Sequence, residues 1–303
     1  MSDIIRISSI TQGHEILGLP KPTHPLVSLV DYRKTPLRKR NFGDARIVID
    51  LFNISMKGSV SGSIGYGRNS YDFEEGTMIF TSPGQVLTSV DHGNEMIDDG
   101  WSLLFHPDLL RKSELGRTIE NYSFFSYEVH EALHLSDEER LAITDIAEKI
   151  EREYSGNIDK HSQKLIISNI ELMLDYCTRY YDRQFYTRAN LNSDVVSRFE
   201  SLLKDYYTTG QALETGVPSV RYCGTQMAMS PNYLSDLLKK ETGRSAQEHI
   251  HGYVINRAKN RLLGSVDSIS QIAYSLGFEY PQHFSKIFKS KTGMSPAEYR
   301  SMN

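Results

Sequence analysis

Two sets of side chains about fifty residues apart carry groups able to read a nucleic acid. Asn232, Tyr233, Ser235, Asp236 and Lys239 form the first, and Gln282, His283, Ser285, Lys286 and Lys289 the second. Asn and Gln amides pair two-pronged with adenine, and Lys reaches guanine or a backbone phosphate. A metal chemistry has its own candidate: His130-Glu131-Ala132-Leu133-His134 spells H-E-x-x-H, which on a helix sets two imidazoles one turn apart with a carboxylate base beside the ion. That chemistry needs the motif inside a helix. Here the helix-start signal, Ser136, comes after it, Glu128-Val129 before it reads as strand or loop, and no third ligand suggests itself. A polar connection is the expectation. His249-x-His251 fails because helix positions two apart face different ways. The glycines from Gly58 to Gly67 lack the Lys-Ser/Thr ending of a phosphate loop and read as hairpin turns. Cys223 lies on an apolar stripe with no cysteine cluster beside it, and Trp101 and Tyr66 are expected to pack in the core. No catalytic residue, bound metal or cofactor is expected.

The elements that must position the first two sets come from an internal repeat. Ser219-Val220-x-x-Cys223-Gly224-x-x-Met227-Ala228-Met229 parallels Ser268-Ile269-x-x-Ile272-Ala273-x-x-Leu276-Gly277-Phe278 at an offset of 49. Past the turn the offset is 50, and Pro231, Ser235, Lys239, Thr242, Gly243, Ser245 and Glu248 recur as Pro281, Ser285, Lys289, Thr292, Gly293, Ser295 and Glu298. Each copy reads as a short helix, a tight turn and a second helix, at about 219–240 and 268–291, which is a helix-turn-helix. Gly277 is placed where the second turn needs a positive φ. The small residues Gly224 and Ala273 are placed to let the paired helices approach closely, and Gly224, as a mid-helix glycine costing about 1 kcal/mol, also weakens the first copy. Ser245-Ala246-Gln247-Glu248 is a capping box opening a helix to Leu263, about 27 Å long, with Ile250, Val254, Ile255, Ala258 and Leu262 inward. Such a spacer holds two reading helices in successive major grooves, about 34 Å apart.

At these residues the chain resembles the AraC/XylS-type transcription regulators. Ile269, Ile272, Ala273, Gly277, Phe278, Phe284, Phe288, Lys289, Gly293, Pro296, Tyr299 and Arg300 match the family's signature, and the run from Gly277 to Phe284 is especially close. The resemblance covers about 196–303. It implies double-stranded DNA as partner, two adjacent major grooves per subunit, contact with RNA polymerase and activation rather than repression. It also implies an N-terminal cupin-like sensor holding a small-molecule effector, followed by helices that dimerise or relay the signal.

The rest of the chain suits that division. From Val217 onward there are 11 Lys+Arg against 6 Asp+Glu, and the remainder carries 23 against 32. Phosphate binding needs local positive charge, so a basic end on an acidic chain suits a DNA reader joined to a sensor. Residues 24–130 are rich in short apolar runs, such as Arg46–Phe52 and Thr77–Phe80, broken by turn clusters. Ser136-Asp137-Glu138-Glu139 opens a helix with Leu141, Ile143, Ile146, Ala147 and Ile150 inward, and a second helix spans about 160–183. The expected fold is α+β: a cupin-like β-barrel over 1–135, a helical dimerisation or relay segment over 136–186, a polar linker over 187–195, and an all-α DNA-binding domain over 196–303. No run of apolar residues can span a membrane and the N-terminus lacks a secretory pattern, so a cytoplasmic location is expected. Two rivals stay open: a constitutive DNA binder whose N-terminal part only dimerises, and a metal-dependent hydrolase centred on His130, Glu131 and His134.

Overall fold

The computed structural model describes residues 4–35, 37–38, 46–57, 64–66, 69–71, 76–88, 96–97, 99–128, 131–156, 158–187 and 189–301. The chain divides into two compact units, Met1–Gln184 and Phe185–Asn303. The fold is α+β, with every strand in the first unit.

The first unit runs β1 (Ile4–Ile7), α1 (Ile10–Leu17), β2 (Val27–Asp31), β3 (Leu37–Arg38), β4 (Arg46–Ile49), β5 (Phe52–Lys57), β6 (Ile64–Tyr66), β7 (Asn69–Tyr71), β8 (Thr77–Thr81), β9 (Gln85–Thr88), β10 (Met96–Ile97), β11 (Gly100–Phe105), α2 (Leu115–Thr118), β12 (Leu133–His134), α3 (Asp137–Ser155) and α4 (Ser162–Thr187), the last three residues of α4 falling in the second unit. Its core is an antiparallel five-stranded sheet in the order β12-β8-β5-β11-β2. β11, Gly-Trp-Ser-Leu-Leu-Phe, is buried along its whole length, so both of its faces are covered and it shows no polar alternation. Trp101 is among its buried residues, and its indole N–H donates to the Thr144 hydroxyl of α3 at 3.3 Å. The described strands otherwise lie in three smaller sheets and do not close into a barrel.

Three local expectations change. The run Arg46–Phe52 is not one strand but the whole of β4 and the first residue of β5, in different sheets. The break is at Asp50, whose amide donates to the Ile7 carbonyl at 2.8 Å and whose carboxylate takes Arg6 Nε at 2.6 Å. Leu141 is not inward but 65% exposed. The buried stripe of α3 is Ile143, Ile146, Ala147, Ile150 and Tyr154, and position 141, about 200° around the helix from 143, points the other way. The polar stretch 187–195 is not a loop: α4 extends to Thr187 and α5 begins at Ala189. The stretch holds neither Gly nor Pro, and polarity without a breaker does not end a helix.

The second unit is all helix: α5 (Ala189–Thr208), α6 (Gln211–Thr215), α7 (Val220–Met227), α8 (Pro231–Thr242), α9 (Ala246–Gly264), α10 (Ile269–Ser275), α11 (Pro281–Thr292) and α12 (Pro296–Ser301). Serines 219, 230, 245 and 268 cap α7, α8, α9 and α10, and Ser245–Glu248 is the expected capping box. Gly243 and Gly293 end α8 and α11 in the left-handed conformation. Aromatic rings hold the second half: Phe278, Phe284, Phe288 and Tyr299 follow one another at centroid spacings of 5.4, 5.6 and 5.4 Å. Arg300 closes the end of α9 by donating to the Leu262 carbonyl at 3.2 Å and the Asp267 carbonyl at 2.7 Å.

Candidate nucleic-acid interface

The repeat becomes two helix pairs, α7 with α8 and α10 with α11. On α8, Asn232, Ser235, Asp236 and Lys239 recur at the 0, 3, 4, 7 spacing of one helix face. Gln282, Ser285, Lys286 and Lys289 repeat that spacing on α11. Asn232, Lys239, Gln282, Lys286 and Lys289 are exposed, while Ser235, Asp236 and Ser285 are half-buried. The opposite faces are core, with Leu234, Leu237 and Leu238 buried in α8 and Phe284 and Phe288 in α11. Ile287, expected in the core, is only half-buried. Both helices therefore present one polar stripe with a lysine in the last turn, where a cation also suits the helix dipole.

Tyr233 leaves the set of base contacts. It is buried, with its ring 5.2 Å from Phe185 within the same unit. Its repeat counterpart His283 is exposed and meets the edge of Phe278 at 6.0 Å. Tyr233, one position off the polar stripe, packs on Phe185, while His283 at the same offset stays exposed although it too meets a ring. The repeat carries a second asymmetry in its own spelling, Ser230 against Tyr280. Ser230 caps α8, whereas the equivalent Tyr280 makes no side-chain cap on α11 and is 60% exposed there.

The turns explain both glycines. Gly277 adopts φ +89°, and its counterpart Ala228 adopts φ +55°, a left-handed conformation carried here by a residue with a Cβ. A Cβ on Gly224 would stand 2.6 Å from the Met229 carbonyl oxygen. The first turn, residues 228–230, is shorter than the second, 276–280, and draws that carbonyl onto the helix. The close approach expected at Gly224 is thus made by the backbone of the turn, which is why glycine stands there despite its cost to the helix.

α9, 19 residues and about 28 Å long, joins the two pairs. Its capping Glu248 accepts from the Ser245 amide at 2.9 Å, which holds its carboxyl below the usual carboxylate value. His249 and His251, on this helix, turn to different partners: the Thr242 hydroxyl at 2.7 Å and the Gln247 amide at 2.7 Å.

The H-E-x-x-H spelling does not assemble a metal site. His130 lies outside the described residues, but Leu133–His134 is strand β12, paired antiparallel with β8. An extended backbone removes the one-turn spacing on which the zinc reading rests. Glu131 is buried and accepts from the Glu128 amide at 2.7 Å. Among the described residues no group of three His, Cys, Asp or Glu is placed to hold a metal ion. Cys177 and Cys223 are buried thiols, and burial raises both pKa values, that of Cys223 to about 11. A thiol so protonated is a poor nucleophile. Gly65 and Tyr66 lie on strand β6, while Gly58, Gly62 and Gly67 fall outside the described residues. No described helix is long and apolar enough to cross a membrane.

Comparison with known proteins agrees with this geometry. Residues 223–302 match the profile of a helix-turn-helix domain family. The transcriptional regulatory protein YesN of Bacillus subtilis is 33% identical over 113 residues, covering 36% of this chain and 28% of that protein. The transcriptional activator RhaS of Escherichia fergusonii is 36% identical over 75 residues, 25% of this chain and 27% of that protein. Among solved structures, the C-terminal domain of the response regulator AraT of Geobacillus stearothermophilus aligns at 25% identity and TM-score 0.32, covering 36% of this chain and 85% of that domain. The matched part spans less than a third of either curated relative.

Proposed function

The C-terminal unit carries an AraC-type helix-turn-helix domain, and on that premise we propose that the chain is a sequence-specific transcription regulator. The observation that carries this reading is the paired polar stripe: Asn232, Ser235, Asp236 and Lys239 on α8, and Gln282, Ser285, Lys286 and Lys289 on α11, joined by one capped spacer helix. The spacing suits one subunit reading two adjacent major grooves of double-stranded DNA. Gln282 and Asn232 are the groups for adenine, His283 reads from its exposed flank, and the lysines serve guanine or phosphate.

In the first unit, the five- and three-stranded sheets followed by two long helices support a cupin-like sensor that takes a small-molecule effector and dimerises through its helices. Effector binding shifts the population of the DNA-competent arrangement by its differential affinity for the two states. Activation through RNA polymerase is the proposed outcome, in line with the name of the relative RhaS, and two buried free thiols suit the reducing cytoplasm. The test is selection of bound fragments from genomic DNA, followed by footprinting. Two protected half-sites about 10 base pairs apart per subunit are expected. Equal affinity for all fragments at every salt concentration would refute sequence-specific regulation.

A further inference from the structure

The geometry points to a binding site for an organic cation with an apolar body, in a cleft of about 610 Å³ on the first unit. A cleft of that volume suits a small organic molecule. The cleft opens where the start of β5 and the β8–β9 turn meet the segment 107–126, and Phe52, Phe125, Pro83 and Ile119 give it apolar walls. The rings are fixed: Phe52 stacks on Phe105 at 5.1 Å and meets Phe125 edge-on at 5.3 Å. These fixed walls give the body of a small organic molecule an apolar surface to lie against.

The charges lining this segment decide the sign of the ligand. Arg111, which also lines the cleft, is answered by Asp108, Nε to Oδ1 at 2.7 Å. Six residues on and outside the lining, Arg117 is answered by Glu114 at 3.2 Å. Glu120 lines the cleft too, and among the described residues no ion pair or hydrogen bond reaches its carboxylate. The Tyr122 hydroxyl, beside it, is spent on Asp175 at 2.8 Å. What remains is one uncompensated negative charge among aromatic and proline walls. That is the complement of an amine or quaternary ammonium carrying a ring or short alkyl group. The surplus of Asp+Glu over Lys+Arg before Val217 steers such a cation toward this part of the chain.

This assignment rests on the reading of the first unit as an effector domain, and it names the chemical class of the effector. The test is isothermal titration of the full chain with benzyltrimethylammonium, against benzyl alcohol and benzoate as neutral and anionic counterparts. The cation should bind at least about tenfold more tightly than either, and Glu120→Gln should remove that preference. Arg111→Gln should leave it in place. Circular dichroism confirms that both variants fold, as expected for exposed side chains. Benzoate binding as tightly as the cation, or cation binding unchanged by Glu120→Gln, would overturn the site, and so would no cation binding at all. Operator affinity measured in the same samples separates the two readings: a cation that binds at Glu120 without altering DNA affinity upholds the site and refutes effector control.

Discussion

Replacing Gly277 with alanine isolates what one backbone approach contributes to the DNA-reading unit. Gly277 sits at φ +89°, and a Cβ there would meet the Gly216 carbonyl carbon at 2.6 Å, the Ala212 carbonyl oxygen at 2.8 Å and the Val217 amide nitrogen at 2.8 Å. All three are backbone atoms, which cannot rotate aside. The left-handed conformation alone costs an alanine about 1–2 kcal/mol. Forcing an extra carbon into packed backbone adds about 1–3 kcal/mol. The displacement also strains the Val217 amide's hydrogen bond to the Gly277 carbonyl, 3.1 Å long and worth about 1 kcal/mol. Gly277→Ala should therefore lose about 3–6 kcal/mol. Gly243→Ala is the control, because it shares a positive φ of +76° but has nothing within 4 Å of the added carbon. It should lose only about 1–2 kcal/mol. Urea unfolding followed by far-ultraviolet circular dichroism reads both losses, while fluorescence of Trp101, the single tryptophan, follows the first unit separately. Equal losses in the two variants would show that the close approach is not what selects glycine at 277.

Three further outcomes are expected. Gly224→Ala should destabilise the second unit by about 1–2 kcal/mol despite alanine's better helix propensity, while Ala228→Gly should be neutral or stabilising by up to about 1 kcal/mol; thermal unfolding checks both signs. Gln282→Ala should relax base preference at one operator position by about 1–3 kcal/mol, whereas Lys289→Gln should weaken all sequences alike and lower the salt slope by about one; Tyr233→Phe should leave operator preference unchanged, and binding titrations over a range of salt distinguish the three. Burial holds the His249 and His251 imidazoles below their ordinary value of 6.5. Because the folded-state values are the depressed ones, their contribution is complete above pH 6.5 and is lost as pH falls below it; denaturant midpoints between pH 8 and 5 should decline in that direction, and less steeply in His249→Gln.

Most of the DNA reader was legible in the residues alone. The repeat, the Ser245–Glu248 capping box, Gly277 at the turn and the buried Phe284 and Phe288 all follow from short-range rules of helix start, turn and period, which act within a few residues. Tertiary structure decided the features that depend on a distant partner. Tyr233 and His283 occupy equivalent positions, yet the first is buried against Phe185 and the second is exposed beside Phe278, a difference no local pattern announces. The close approach at Gly224 was legible in its size, but the atom it approaches, the Met229 carbonyl oxygen of the turn, was not. In the first unit, the split at Asp50 and the parallel pairing of β1 with β4 join segments some forty residues apart, and no local period announces such a pairing. The fate of H-E-x-x-H shows the same division of labour: the spelling is local, but pairing with β8 stretches its last two residues into a strand. A motif's chemistry requires its backbone shape, and that shape is set by hydrogen-bond partners far along the chain.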